Sequence, residues 1–512
     1  MTIAPIWRGL AGVDWKKAWQ SLFPDWRALG AFCLPMLLYL FTLAPTIYNL
    51  DSAELTTAAA TGGLMRSTGY PLYLLIGYFW SRLPVGDVGY RMNLFSAVSG
   101  ALTIFLLDRL LRRMGVHAWA AFAALGSLAA ASYFWALSLI AEVYTFHTVL
   151  MAISMLRLLH WAENPTPRRM FILALSVGLG LTHHAATILL IPGYLWYLVW
   201  TRPRQFFALP NLAAGVIGGL SGLSVYLYLP LRYATEPVFN YAGRYNAEGV
   251  FQPVNLQTLS GLWWLISGRA FQAQMAGYRW ENLWPQAAGF GMNLGRAFLL
   301  IGIGPGIAGF LWLLRHRWKW GSATLWMFLA HAAFYISYRV GDKDTMYLPD
   351  YLIWALWMGV GCQWLLDWLA NSPHPLEHRA GVWLARSILV GGVIVTIWWN
   401  WGLVDLSQDW SARQRGEMIL AQCEPGALFF GFWDTVPVIQ YLQLVEGQRT
   451  DVQAINRFLI SPTDLQLWIR REIALRPVYI DKALGNLPDS LIIEPLVEIN
   501  RLHLRKLGDP LP

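Results

Sequence analysis

The sequence predicts an all-α polytopic membrane protein with about eleven transmembrane helices and a small C-terminal α/β extracytoplasmic domain. Three observations predict it. The chain of 512 residues is 56% hydrophobic and only 13% charged, whereas globular chains average about 25% charged. Apolar runs recur from Ala28 to Leu403, with basic clusters between alternate runs. The last hundred residues change rhythm to short apolar runs separated by polar turns.

Composition narrows the function classes. The 29 Trp exceed the needs of a soluble core and suit the membrane interface. The net charge of +8 fits basic loops on one membrane face. No Lys/Arg block interleaved with aromatics marks a nucleic-acid groove, so the bilayer and not nucleic acid is the expected partner. Cys33, Cys362 and Cys423 offer no disulfide framework and no metal-ligand spacing.

Residues 1–27, with Trp7, Lys16, Lys17 and Trp26, read as a cytoplasmic segment carrying an interfacial helix. The first apolar run is too long for a cleaved signal and reads as an uncleaved anchor. A span needs roughly 20 apolar residues. Candidates, several of them short, are Ala28–Ile47, Arg91–Leu111, Ala118–Ile140, Val143–His160, Met170–Leu181, Ala185–Trp200, Asn211–Pro230, Gly289–Leu314, Thr324–Tyr338, Tyr351–Leu369 and Gly381–Leu403, within a membrane domain of residues 28–403. The basic clusters Lys16/Lys17/Arg27, Arg109/Arg112/Arg113, Arg168/Arg169, Arg202/Arg204, Arg315/Arg317/Lys319 and His378/Arg379 all satisfy one parity. That parity places the first loop 48–90, the long loop 231–285 and the tail 404–512 outside the cytoplasm, which suits a plasma-membrane protein. Pro71–Leu83, apolar but short and flanked by Pro84, reads as a re-entrant or interfacial helix.

In the tail, Ala427–Gly431, Asp451–Ile455 and Pro477–Ile480 read as strands, with helices at Thr435–Val445 and Asp464–Ile473 between them. No phosphate-loop or dinucleotide fingerprint, internal repeat or low-complexity tract accompanies them.

The same parity puts Asp51, Glu54, Glu142, His183, His184, Asp342 and Asp344 on one face, where they could line one cavity. Asp51 with Glu54 three residues on matches a capping box for a helix starting at Ser52, and equally a base with a second carboxylate. The Gly69-Tyr70-Pro71 turn is explained by backbone geometry or by substrate contact, and Arg66 before it could meet an anion. Glu142 lies at a very short turn, solvated or functional. Adjacent His183 and His184 cannot share one side of a helix, which argues against a two-His metal site. Arg232 and Arg339 are basic groups on the disfavoured face, suited to a phosphate or to snorkelling. Asp342 and Asp344 could hold a divalent cation or a sugar, though two carboxylates make a weak metal site.

Asp51–Glu54, Gly69-Tyr70-Pro71-Leu72-Tyr73 and Tyr90-Arg91-Met92-Asn93-Leu94-Phe95-Ser96-Ala97 together resemble the GT-C superfamily of membrane glycosyltransferases. More closely, they resemble the protein O-mannosyltransferase-like family, long described as a domain of unknown function. Glu142-Val143-Tyr144, His183-His184, Tyr226–Arg232, Val340-Gly341-Asp342, Tyr347-Leu348-Pro349, Trp433-Asp434-Thr435, Gln440–Gln443 and Arg449–Val452 extend the resemblance over nearly the whole chain. Family members often carry Gly where this chain has Ala53, and His-Pro-Pro where it has Arg66-Ser67-Thr68.

The resemblance implies a polyprenyl-phosphate sugar donor, with Asp51 as catalytic base and Glu54 as a second acidic group. It implies inverting transfer of a hexose, mannose in related enzymes, to a protein or glycan hydroxyl outside the cytoplasm. Glu142, Tyr144, His183, His184, Arg66, Arg91, Arg232, Asp342 and Tyr70 are the residues expected around donor and acceptor. No cofactor is certain from the sequence, and a divalent metal, with Asp342 and Asp344 as its ligands, stays open. The rival readings are a transporter or flippase of lipid-linked sugars, which paired discontinuous helices would favour, and a non-catalytic sensor of them.

Overall fold

The computed structural model describes residues 25–371, 375–482 and 491–504. Most of the N-terminal segment 1–27, with Lys16 and Lys17, lies outside the described residues, as do the side chains of His378 and Arg379.

The apolar runs form helices whose ends follow local chemistry. α1 (Trp26–Thr42) starts at Asp25, whose carboxylate accepts from Ala28 N at 2.9 Å. α2 (Asp51–Thr61) and α3 (Pro71–Trp80) follow in the first loop, and α3 opens on a proline suited to a first helical turn. α4 (Val88–Arg113) is capped by Asp87 through Tyr90 N at 2.7 Å. Then come α5 (Ala118–Ala130), α6 (Tyr144–Glu163), α7 (Pro167–His183), α8 (Ile191–Thr201), α9 (Leu209–Leu223), α10 (Leu283–Ala297), α11 (Ile303–His316), α12 (Trp318–Ser337), α13 (Leu348–Ala370) and α14 (Pro375–Val404). Among the described residues, four helical stretches are long and apolar enough to cross a membrane: Val88–Arg113, Leu209–Tyr233, Lys343–Ala370 and Ala380–Val404. The other apolar helices are shorter, so helix length alone does not return a count of eleven.

Three runs are shorter or more broken than the sequence suggests. The first helix stops at Thr42 because Leu43–Ile47 is drawn out by Asn93, whose amide donates to Ala44 O at 3.0 Å and Thr46 O at 2.8 Å. α5 stops at Ala130, where Tyr39 Oη donates to Ala129 O at 3.0 Å and Asn400 Nδ2 to Ala130 O at 2.8 Å. Those side chains satisfy carbonyls left free at a helix end. The run Gly289–Leu314 is two helices, α10 and α11, broken where Leu299 and Leu300 take positive φ of 50° and 59°. Leu rarely adopts that conformation, and the Gly302–Gly306 run with Pro305 that follows opens the second helix.

Glycines set the closest helix contacts. A Cβ on Gly309 of α11 would lie 1.8 Å from Trp357 O of α13, and one on Gly361 of α13 would lie 1.9 Å from Pro305 O. α7 and α9 approach equally closely, since a Cβ on Gly218 would lie 2.3 Å from Phe171 O. Small residues permit such contact between apolar helices, where lipid offers no hydrophobic drive.

The tail holds α15 (Ser411–Gln422), β3 (Leu428–Gly431), α16 (Val436–Leu444), β4 (Gln453–Asn456), α17 (Pro462–Glu472), β5 (Val478–Asp481), β6 (Leu491–Pro495) and β7 (Ile499–Leu504). β1 (Gly243–Tyr245) and β2 (Phe251–Pro253) form a separate hairpin in the long loop. The five-stranded sheet runs β4-β3-β5-β7-β6, with β4, β3 and β5 parallel and β7 and β6 antiparallel. Alternation places Leu428, Phe430, Val478 and Ile480 against Trp468 and Ile469 of α17. Phe429, Ala454 and Tyr479 face α15 and α16 on the other side. β3 leads through α16 to β4 on one side, and the chain returns through α17 to β5 on the other. Such a reversal leaves a crevice at the carboxyl ends of the parallel strands.

This unit is packed onto the first loop. Ile47 and Ala53 share one apolar core with Ile419, Val436, Ile439 and Tyr441. Tyr441 Oη accepts from Gly89 N at 3.2 Å, and Arg413 holds Glu446 at 2.6 Å and reaches Asp87 at 3.4 Å.

Candidate functional site

The motif Tyr90–Ala97 assembles the site from behind. Asn93, fully buried on α4, holds the Leu43–Ile47 segment and also accepts from Ala141 N at 2.8 Å. One helical turn on, Ser96 Oγ accepts from Glu142 N at 3.1 Å. One face of α4 therefore brings the approach to Asp51 and the turn carrying Glu142 to the same end of the bundle.

Asp51 and Glu54 do not form the capping box that their spacing suggests. The residue preceding α2 is Leu50, which makes no side-chain cap and sits at φ 55°. Asp51 lies in the first turn, and both carboxylates turn to Arg66. Arg66 Nη2 meets Asp51 Oδ1 at 2.5 Å and Arg66 Nε meets Glu54 Oε2 at 3.3 Å. The guanidinium also lies over the Trp433 ring at 4.3 Å and near Phe271 at 5.6 Å. Trp433 Nε1 in turn donates to Asp51 Oδ1 at 2.8 Å. Both donors thus converge on one carboxylate oxygen. Among the described residues nothing bonds Oδ2, and the Asp51 side chain keeps 33% of its surface exposed.

The neighbouring acids sit in different surroundings. Glu54 is fully buried, and burial pushes its carboxyl up to about 8. The Arg66 charge opposes that rise and the Asp51 charge adds to it. Among the described residues its Oε1 has no partner. Burial works against the Arg66 charge, but Asp51 and Glu54 overcome it and hold the guanidinium protonated. Half-buried Glu142 is pushed well above the ordinary carboxylate range, first by desolvation and then by Asp51. Neighbours of this kind separate one exposed carboxylate from two acids that favour the proton.

The histidines come together in spite of their adjacency. His183 ends α7, while His184 leaves the helix at φ −146° and turns back. Their rings lie 6.4 Å apart, with His147 5.0 Å from His184. Tyr70 and Tyr144 each stand 5.9 Å from the His184 ring. His183 Nε2 pairs with the Val143 carbonyl at 2.8 Å, which can only accept, so that nitrogen carries the hydrogen. Nδ1 of His184 accepts from Ala186 N at 3.2 Å. A second buried pair, His331 Nδ1 with Asp350 Oδ2 at 2.8 Å, was not singled out from sequence.

Asp51, Glu54, Arg66, Tyr70, Glu142, Tyr144, His183 and His184 therefore share one mouth. Exposed Asp342 is close enough to couple electrostatically with Asp51 and Glu142. Arg91 and Arg232 are occupied elsewhere. Arg91 donates to Ser81 O, Val85 O and Gly86 O at 2.7–2.8 Å, tying the turn before α4. Arg232 donates to Gly62 O at 2.6 Å and Thr61 O at 3.5 Å, at the negative end of α2. Among the described residues no three His, Cys, Asp or Glu cluster as metal ligands, and Asp342 with Asp344 finds no third. Trp433 and Phe271 were absent from the expected site. The tail motif around Trp433 marked the segment, but not its reach across 382 residues.

Comparisons with known proteins follow the same lines. Residues 51–206 match the family model described as the protein O-mannosyl-transferase TMEM260 N-terminal domain. Protein O-mannosyl-transferase TMEM260 of Mus musculus is 28% identical over 211 residues, 40% of this chain and 30% of that protein. The counterpart in Dictyostelium discoideum is 22% identical over 470 residues, 83% of this chain and 56% of that protein. The chain thus spans less than two thirds of the length of either relative. Among solved structures, ArnT from Cupriavidus metallidurans bound to undecaprenyl phosphate superposes with a TM-score of 0.57 at 13% identity, covering 94% of this chain and 99% of that one. Its apo form gives 0.52 at 12% identity, covering 93% and 97%. The chain is O-mannosyltransferase-like in sequence and ArnT-like in fold.

Proposed function

We propose that this chain is an integral membrane glycosyltransferase that moves a hexose, mannose, from a polyprenyl-phosphate donor to an acceptor hydroxyl on the extracytoplasmic face, with inversion. The observation that carries the reading is the asymmetry of Asp51. Arg66 and Trp433 grip Oδ1 and leave Oδ2 open at the mouth. A fixed, partly exposed carboxylate is the geometry a general base requires.

In this reading Oδ2 takes the acceptor proton as the acceptor oxygen attacks the anomeric carbon, and the sugar–phosphate bond breaks on the opposite side. Half-buried Glu142, held towards its protonated form, donates a hydrogen bond to the sugar or to the acceptor in this reading, while fully buried Glu54 positions Arg66. The phosphate leaves with its charge, and we assign Arg66, the guanidinium at the same mouth, to meet it, because Arg232 is held at the far end of α2. The lipid donor is supported by the name of the ArnT structure, which holds undecaprenyl phosphate. The mannosyl group and a protein Ser/Thr acceptor are supported by the names of the curated relatives.

The test is direct. Purified protein in lipid nanodiscs is given polyprenyl-phosphate [³H]mannose and a Ser/Thr-rich acceptor polypeptide. Label should pass to the polypeptide without any membrane gradient. Label that stays on the lipid with every acceptor offered, or that only changes leaflet, would remove the enzyme reading.

A further inference from the structure

A second cavity lies at the opposite end of the bundle from Asp51. α4 starts beside the first loop and ends at Arg113, and α7 runs back from Pro167 to His183 at the mouth. At the Arg113 end a cavity of about 450 Å³ opens between the C-termini of α4, α6 and α8 and the turn joining α11 to α12. None of the Asp51 site residues lines it.

Its wall has the chemistry of an anion site. Arg113, Arg317 and Lys319 line it together with a single carboxylate, Glu163. Glu163 is already paired with Arg113 at 2.5 Å. Among the described residues neither Arg317 nor Lys319 has a carboxylate within 4.0 Å, and Arg317 reaches only the Arg113 carbonyl, at 3.4 Å. Trp320, only 4% exposed, lines the same cavity with an indole N–H that has no acceptor among the described residues. An unmet buried donor in a wall with two cations that lack a carboxylate partner calls for an occupant rich in acceptors and negatively charged.

The surroundings identify its source. Trp200 and Trp318 pack at 5.7 Å and Trp196 and Trp200 at 5.4 Å, an aromatic band of the kind that sits at headgroup depth. Met114 and Leu159 give the cavity an apolar side. We propose that this cavity binds the phosphodiester head of an anionic phospholipid, with Arg317 and Lys319 on the phosphate and Trp320 Nε1 donating to one of its oxygens. Basic pockets between membrane helices hold acidic lipid heads in this way.

Native mass spectrometry of the full-length protein, delipidated in detergent, tests this without any transfer assay. Phosphatidylglycerol, phosphatidylcholine and inorganic phosphate are the three probes. The protein should retain phosphatidylglycerol over phosphatidylcholine. The double substitution Arg317→Gln/Lys319→Gln should weaken phosphatidylglycerol roughly 30-fold, since each basic group near the surface contributes about a factor of five. Trp320→Phe keeps an aromatic ring but loses the unmet donor, and should weaken phosphatidylglycerol severalfold while leaving phosphatidylcholine retention as in the parent. It decides the matter if the double variant does not fold. Equal retention of the two lipids, or a preference untouched by the substitutions, overturns the proposal. Saturation by inorganic phosphate with no lipid preference assigns the cavity to a soluble anion and overturns the lipid.

Discussion

Trp433 Nε1 donates to Asp51 Oδ1 at 2.8 Å, so a residue just beyond β3 in the tail holds the carboxylate that opens the first loop. The same indole ring carries the Arg66 guanidinium at 4.3 Å. The carboxyl edge of the parallel sheet therefore forms one wall of the membrane site. This gives the tail a structural part in the chemistry proposed for Asp51.

Trp433→Phe separates that hydrogen bond from ring packing. Phe keeps an aromatic face for Arg66 and loses the N–H donor along with part of the indole ring. A hydrogen bond to a charged group is worth about 1.5–3 kcal/mol. The expected outcome is a fall of about tenfold or more in kcat, with the donor KM nearly unchanged. A rise in KM at constant kcat would mean that Trp433 binds substrate and does not orient Asp51.

Asp51→Asn keeps the shape of the side chain and its contact with Trp433, but the amide cannot take a proton. General-base catalysis contributes about 10²–10⁴-fold. Transfer should fall by that factor, while protein level and membrane insertion match the parent. Parent-like turnover at equal protein level would exclude Asp51 as the base.

Much of this was legible in the sequence because its signals are local. Strands at Leu428–Gly431, Gln453–Asn456 and Val478–Asp481 stand within two residues of the short apolar runs that suggested them. Acids placed between long apolar runs are conspicuous for what they cost, which is why Asp51, Glu54 and Glu142 could be picked out. What stayed hidden depends on partners distant in the chain. The Asp51–Glu54 spacing suits a helix cap, and only Arg66, 12 and 15 residues on, turns both away from it. Adjacent histidines at a turn after Leu181 give no hint of how their rings meet; the helix runs on to His183, and His184 turns back from its end. The Gly302–Gly306 run with Pro305 marks the start of α11, but the positive φ at Leu299 and Leu300 just before it has no local signal, and α5 ends on carbonyls held by Tyr39 and Asn400.

Gly309→Ala tests the glycine contact that joins α11 to α13. The added methyl would meet Trp357 O at 1.8 Å, a rigid backbone atom. Overpacking costs about 1–3 kcal/mol, so the melting midpoint of the solubilised protein should drop by several degrees. Gly304→Ala in the same helix is the control, because its Cβ meets nothing within 4 Å and Ala favours the helix. Equal melting of the two variants would show that the helices do not pack at Gly309.

Glu54 predicts a pH dependence of stability with a definite sign. Its carboxyl is pushed up from an ordinary 4.5 to about 8 by burial. Between those values the folded protein keeps a proton that the unfolded chain has released. Stability linked to this group is then present in full below about pH 4.5 and is lost as pH climbs towards 8. Glu54→Gln mimics the protonated acid and cannot lose the proton. The melting midpoint of the parent should therefore fall more steeply between pH 5 and 8 than that of the variant, the two curves separating as pH rises. Parallel curves over that window would mean that Glu54 is not held protonated by the fold. A variant that melts lower at every pH would mean that the carboxylate stabilises the site through its charge with Arg66.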